Sequence, residues 1–216
     1  MAKISYSMYL TSIGMEKAKH NIGFLFLLLC LLQCTSKPDV YDIPAFSSNN
    51  VVNCIIEIPA GTNKKIEFNK ETKKFEIDRK HGQERVINFL SYPGNYGFIP
   101  STYSNPKKGG DGDALDVIVL SESSETGTVM EVLPIAIFKL LDNGEQDNKI
   151  VCIPLEENLR TINAPTFDQL KLNYPKVITI LETWFLNYDI KDVLQSKGWG
   201  DEKEAYFEIR KSLKKH

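Results

Sequence analysis

The sequence predicts an α+β fold: a small closed or nearly closed antiparallel β-barrel of OB-like form, with C-terminal helices packed outside it. Three observations carry this expectation. Between Val51 and Ile153, short β-branched and apolar runs alternate with turn residues. From Val177 onward the apolar period lengthens to helical spacing. The chain has 216 residues, 42% of them hydrophobic, which suits one core-forming domain plus an N-terminal appendage. No internal repeat and no low-complexity tract interrupts it.

The appendage comes first. Lys17, Lys19 and His20 precede an apolar run, Ile22–Leu32, that ends at Gln33-Cys34. A basic stretch followed by roughly 7–15 apolar residues reads as a secretory signal. A spanning helix needs about 20. Met15 opens a signal of ordinary form, Met-Glu-Lys-Ala-Lys, and is the expected start. Leu31-Leu32-Gln33-Cys34 looks like a bacterial lipobox whose cysteine is lipidated, although Gln33 departs from the usual small residue. A simple secretory signal and an uncleaved anchor are the alternatives. Residues 35–50 are polar with two prolines and read as a tether, with an ordered arm as the alternative. The expected division is therefore 1–33 signal, 34–50 lipidated Cys34 and tether, 51–216 domain. The expected location is the bacterial cell envelope, or the cytoplasm if the signal does not operate.

Within the domain, Val51–Ile58 is a β-branched strand ending at Pro59-Ala60-Gly61. Lys64–Phe68 and Lys74–Arg79 alternate apolar and polar residues about a polar turn, as a hairpin does. Leu115–Leu120 and Val132–Leu141 are further strands. Asp142-Asn143-Gly144 marks a turn, and Lys149–Ile153 returns. Val177, Ile180, Leu181, Trp184, Phe185 and Tyr188 then form one helical stripe. Asp201 and Glu204 make a capping-box-like start to a last amphipathic helix through Ala205, Ile209 and Leu213. Cys54 and Cys152 each lie in an apolar run. They give no zinc spacing and no disulfide framework, and read as buried thiols or one disulfide.

The chemistry concentrates at Asp111-Gly112-Asp113-Ala114-Leu115-Asp116. Three carboxylates within six residues repel one another unless cations neutralise them. Oxygen donors without nearby Cys or His suit a hard cation, Mg²⁺ or Mn²⁺. A calcium EF-hand would want an acceptor fifth and Gly sixth, where this loop has Leu115 and Asp116. Asp142 and Asp147 flank the later turn and offer a second acidic pair, so several metals could surround one phosphoryl group. Lys65, Arg79 and Lys149 could reach phosphate oxygens, and Tyr92, Tyr96 and Tyr188 are neutral donors. A formal net charge of −2 provides no global field for nucleic acid, so an anionic substrate must be held by these local groups or by metal.

Taken together, from about Val51 to the C-terminus, the chain resembles the soluble family I inorganic pyrophosphatases. The resemblance rests on Asp111–Val117, on Ile56-Glu57-Ile58-Pro59-Ala60-Gly61, on Ile77-Asp78-Arg79, on Tyr92-Pro93-Gly94-Asn95-Tyr96-Gly97, on the Asp142–Lys149 spacing and on Gly198-Trp199. It implies Mg²⁺-dependent hydrolysis of pyrophosphate to two phosphates by metal-activated water, with Mn²⁺ as a substitute. It implies that Asp111, Asp116, Asp142 and Asp147 ligate metal and that Glu67 is a weaker contact. It implies Asp113 as general base and Lys65, Arg79, Tyr96, Lys149 and Tyr188 as substrate groups, with Glu57 and Tyr92 at further active-site positions. Homo-oligomers, often hexamers in bacteria, are implied too. Two residues depart from the pattern. Asp189 follows Tyr188 where the family has Lys, and Asn143 replaces an acidic residue. Both are expected to weaken phosphate or metal binding without removing the core ligands. Other phosphoanhydride substrates, a phosphate- or metal-binding lipoprotein without turnover, and a structural envelope module remain as alternatives.

Overall fold

The computed structural model describes residues 39–214. The expected signal, the lipobox at Cys34 and the start of the tether lie outside these residues. Among the described residues no helix is long and apolar enough to cross a membrane.

The chain enters through a 3₁₀ turn, Val40–Asp42, and strand β1 (Phe46–Ser48). Then come β2 (Val51–Ile58) and the hairpin β3 (Ile66–Asn69) and β4 (Lys74–Ile77). A second small hairpin follows, β5 (Arg79–Lys80) and β6 (Gln83–Glu84). Next are β7 (Asn95–Phe98), β8 (Asp116–Val119), β9 (Val129–Asp142), β10 (Glu145–Gln146) and β11 (Lys149–Pro154). Helices α1 (Phe167–Asn173) and α2 (Pro175–Phe185), strand β12 (Leu194–Asp201) and helix α3 (Glu202–Lys211) complete the chain.

Five strands pair in a ring, β2–β7–β8–β11–β9, which β2–β9 pairing completes. The ring is not wholly antiparallel as expected, because β8 and β11 run parallel. The cause is the connection after β8. The chain crosses to the far side of the ring before entering β9, which pairs antiparallel with both β2 and β11. β7 crowds β2 so closely that a Cβ at Gly97 would lie 1.8 Å from the Ile55 carbonyl oxygen, which is why glycine stands there.

Side chains alternate between two cores, as a period of two requires. Val117, Val119, Ile150 and Cys152 pack with Ala205 and Ile209 of α3. Ile118, Leu120, Val151 and Ile153 pack with Leu170, Leu181, Trp184 and Phe185 of α1 and α2. Each fully buried aliphatic chain stabilises the fold by about 1.5–3 kcal/mol, so the two covered faces outweigh any single surface contact. Pro175 opens α2 at its first turn, and Asp201 caps α3 by accepting from the Glu204 amide at 2.9 Å. Cys54 and Cys152 are buried free thiols, and burial raises that of Cys54 to about 12.

One difference from expectation concerns residues 39–50. This stretch is not a free tether along its whole length. Tyr41 stacks on Phe98 at 4.5 Å, and the Ala45 carbonyl accepts from the Asn53 amide. Val40 and Ile43 pack against the cluster of Ile55, Phe68 and Phe98. The apolar residues Val40, Tyr41 and Ile43 cover a face that the β-ring would otherwise expose.

Candidate active site

A cleft of about 460 Å³ opens where β2, β3, β7, β8, β11 and α2 approach one another. Asp111, Asp113 and Asp116 reach it from the loop into β8, Asp142 from the end of β9, and Asp147 from just before β11. Lys65, Glu67, Tyr96, Lys149 and Tyr188 line it as well. The acidic groups that the sequence keeps apart are therefore brought to one place.

The β pairing explains the central contact. Lys149 and Asp116 are register partners on parallel strands, so their side chains leave the sheet side by side. The Lys149 ammonium lies 2.5 Å from Asp116 Oδ2 and 2.5 Å from Asp147 Oδ1, and its side chain is 3% exposed. Burial alone would lower its pKa, but the two carboxylates outweigh it and hold the amine firmly protonated. Burial pushes Asp116 up, yet Lys149 and the Tyr96 hydroxyl, which donates to Oδ2 at 2.5 Å, hold it below the ordinary range. Asp147 goes the other way. Burial raises it to about 6, Lys149 opposes, and the Asp116 charge adds to the rise. Asp111 is raised by burial and by the charges of Asp116 and Asp113, and Asp142 by burial and Asp192. Burial also raises Glu57 to about 8, while its Oε1 accepts from the Phe68 amide at 2.7 Å.

The loop before β8 is shaped for exposure. Gly112 has φ +91°, and Asp111 Oδ1 accepts from the Asp113 amide at 3.0 Å. This turns Asp113 outward, where Lys70 Nζ meets its carboxylate at 2.9 Å. Asp113 is thus exposed, as Asp111 is, whereas Asp116 is partly buried.

The donor set suits a hard cation. Its members are carboxylates with no imidazole or thiol. Among the described residues no three such side chains yet converge on one ion-sized point, and the Lys149 ammonium lies between two of them. Asp111, raised by burial and then by neighbouring charge, and Asp147, raised to about 6, are groups that a cation would hold ionised.

Arg79 does not line the cleft. The β5–β6 hairpin, turning at His81-Gly82 with both residues at positive φ, carries it outward. Its guanidinium pairs with Glu84 at 3.1 Å and is 60% exposed. The arginine that lines the cleft is Arg85, at the hairpin's return. There the Arg85 amide donates to the Asp78 carbonyl, and the Lys65 amide donates to the Arg85 carbonyl. Arg85 is thereby stitched beside Lys65. Sequence reasoning missed it because Asp78-Arg79 and Glu84-Arg85 are near-repeats across a turn. The polar His81-Gly82 pair was the signal that the chain folds back between them. Tyr41, Lys70 and Asp192 also line the cleft without having been singled out.

The two departures from the family pattern meet neighbours. The Asn143 side chain donates to Asp142 Oδ1 at 2.8 Å and to Asp192 Oδ1 at 3.3 Å, and accepts from the Val193 amide at 3.1 Å. Asp189 Oδ2 lies 3.8 Å from Arg85 Nη2.

Comparison with known proteins accords with this geometry. The family model described as Inorganic pyrophosphatase matches residues 54–216. The inorganic pyrophosphatase of Neisseria meningitidis serogroup B is 35% identical over 176 residues, covering 80% of this chain and 92% of that protein. That of Haemophilus influenzae is 36% identical over 172 residues, covering 76% and 89%. The crystal structure of an inorganic pyrophosphatase from Neisseria gonorrhoeae superposes with a TM-score of 0.68 at 32% identity, covering 81% of this chain and 97% of that one. The enzyme from Thermus thermophilus gives a TM-score of 0.70 at 26% identity, with the same coverage. With a family match over residues 54–216 and with fold and clustered carboxylates in agreement, the chain belongs to the inorganic pyrophosphatase family.

Proposed function

We propose that this cleft hydrolyses inorganic pyrophosphate to two phosphates with Mg²⁺ as the cofactor and Mn²⁺ as a substitute. The observation that carries the reading is the gathering of Asp111, Asp113, Asp116, Asp142 and Asp147 in one cleft beside Lys65, Arg85 and Lys149. Anion-binding cations and cation-binding carboxylates share a single wall, as a polyanionic substrate that arrives with metal requires. Asp111, Asp116, Asp142 and Asp147, with Glu67 at the margin, are the groups that would hold the metal. Bound there, divalent cations would offset the charge of pyrophosphate and make water a better nucleophile.

The chain's own residues do the rest. Asp113, exposed and turned outward, accepts the proton of the attacking water. Lys149, Lys65 and Arg85 meet the phosphate oxygens, Arg85 with two N–H groups in a fixed plane. Tyr96 and Tyr188 stay neutral, because burial raises both hydroxyls and takes that of Tyr188 to about 12. They therefore remain neutral donors, Tyr96 to Asp116 Oδ2 and Tyr188 toward phosphate oxygens. Lys149 keeps Asp116 ionised before metal arrives.

The testing experiment measures phosphate release from pyrophosphate with and without Mg²⁺, and from ATP under the same conditions. Release from pyrophosphate that stops in chelator supports the reading. Release in excess chelator, or preference for ATP, would refute it. For residues 1–38 we propose export and lipid attachment at Cys34, supported by the basic-apolar-cysteine order. Incorporation of labelled palmitate that Cys34→Ser abolishes is the expected result.

A further inference from the structure

Asp189 stands where the family pattern has a lysine, and at first sight a phosphate-binding cation has been exchanged for a repelling anion. The side chains suggest a different account. Arg85 Nη1 donates to Asp78 Oδ2 at 2.9 Å, and Nη2 lies 3.8 Å from Asp189 Oδ2. Arg85, Asp78 and Asp189 have side-chain exposures of 25%, 24% and 21%, so the trio is largely covered, and of the three it is Arg85 that lines the cleft. The two carboxylates come from different parts of the fold, Asp78 from between β4 and β5 and Asp189 from the loop after α2. Asp189 is fixed in turn, because its Oδ1 accepts from the Lys191 amide at 3.0 Å. Lys191 itself is exposed and does not line the cleft.

A long arginine at the return of a two-residue hairpin would otherwise sample many rotamers. Gripped from two sides, it keeps its plane and has N–H groups left for a ligand. We propose that Asp189 is a positioning residue: together with Asp78 it holds Arg85 in the cleft, so that its charge orients a substrate-binding cation instead of repelling the substrate. This rests on the pyrophosphatase reading and adds to it. The sequence alone suggested that Asp189 weakens phosphate binding. The clamp gives its charge the opposite effect, and the sign is measurable.

The experiment uses the full chain and compares the parent with Asp189→Asn, Asp189→Glu, Arg85→Ala and the double variant Asp189→Asn/Arg85→Ala. Steady-state hydrolysis of pyrophosphate gives KM and kcat, and calorimetry with the non-hydrolysable imidodiphosphate gives Kd. Melting temperatures report folding. Asp189→Asn is expected to raise KM and Kd by about 3- to 5-fold while kcat changes less, the scale of a partly exposed ion pair. Asp189→Glu restores most of the loss. In the Arg85→Ala background Asp189→Asn has no further effect, because the pair acts as one unit. A KM that falls or stays level in Asp189→Asn overturns the proposal, as does an equal rise in both backgrounds. A parent chain without turnover on pyrophosphate would instead sink the underlying reading, and the clamp with it.

Discussion

At the scale of single residues, what decides behaviour is how a few charges share a dry space. Lys149 compensates Asp116 and Asp147 at 2.5 Å each. Replacing it by Met leaves two carboxylates without their cation. The expected loss of metal-free stability is about 3–5 kcal/mol, read by urea unfolding. Recovery on adding Mg²⁺ would show that a dication substitutes for the ammonium. Asp113 is different. It is exposed and, among the described residues, pairs with Lys70, so Asp113→Asn should melt like the parent yet lose about 10²–10⁴-fold in kcat. Unchanged turnover would remove Asp113 from the role of base. Glu57 supplies a pH signature. Burial raises it from 4.5 to about 8, so the folded chain holds a proton there that the unfolded chain releases. Its stabilising contribution is full below about 4.5 and is lost as pH rises toward about 8. The melting curve of metal-free Glu57→Gln should therefore fall less over that window than the parent's, as differential scanning calorimetry against pH would reveal.

At the scale of elements, two hairpins set which residues reach the chemistry. The β9–β10 turn presents Asp142, and the start of β11 presents Lys149 as the register partner of Asp116. The turn and the returning strand were legible in sequence, because alternation and Asn143-Gly144 mark them, but the pairing of Lys149 with Asp116 was not. The β5–β6 hairpin was not. Lys74–Arg79 continues one alternating pattern, which assigns Arg79 to the same face as Phe75 and Ile77, but the strand ends at Ile77 and the chain folds back at His81-Gly82. Arg79→Ala should accordingly leave KM within about two-fold of the parent, as surface substitutions do. Arg85→Ala should raise it about tenfold or more, as loss of a charged hydrogen bond does. A reversed order in steady-state kinetics would return the substrate contact to Arg79. β12 was unreadable for a related reason. Gln195, Ser196 and Lys197 are polar, and only pairing with β9 and the bonds from Ser196 and Trp199 to Glu182 reveal a strand. The two terminal helices could be read because their apolar stripes and the Asp201 cap are local signals, whereas strand partners are tertiary facts.

At the scale of the whole molecule, the β-ring needs cover on every side, and one side is closed by the N-terminal strap 39–48. Within the polar, proline-bearing stretch 35–50 that reads as linker, the strap carries Val40, Tyr41, Ile43 and Phe46, and the face they cover explains why it is ordered. Ser101 Oγ donates to the Ile43 carbonyl at 2.8 Å, and the Asn53 side chain donates to the Pro44 carbonyl at 2.9 Å. Tyr41 stacks on Phe98 beneath Lys70, whose ammonium is 5.1 Å from the ring centre and also pairs with Asp113. The strap thus links residues 39–48 to the wall beside the expected general base. Two truncations separate linker from strap. A chain beginning at Asp39 keeps every one of these contacts and should match the full chain in melting temperature and kcat. A chain beginning at Phe46 bares Phe98, Phe68 and Ile55, which should cost about 2–4 kcal/mol, or roughly 5–10 °C. Its KM should rise as well, because Tyr41 lines the cleft and holds Lys70 near Asp113. Melting scans and kinetics on both truncations would decide the matter: if the chain beginning at Phe46 melts and turns over like the one beginning at Asp39, residues 39–45 are tether after all, and the cleft is complete without them.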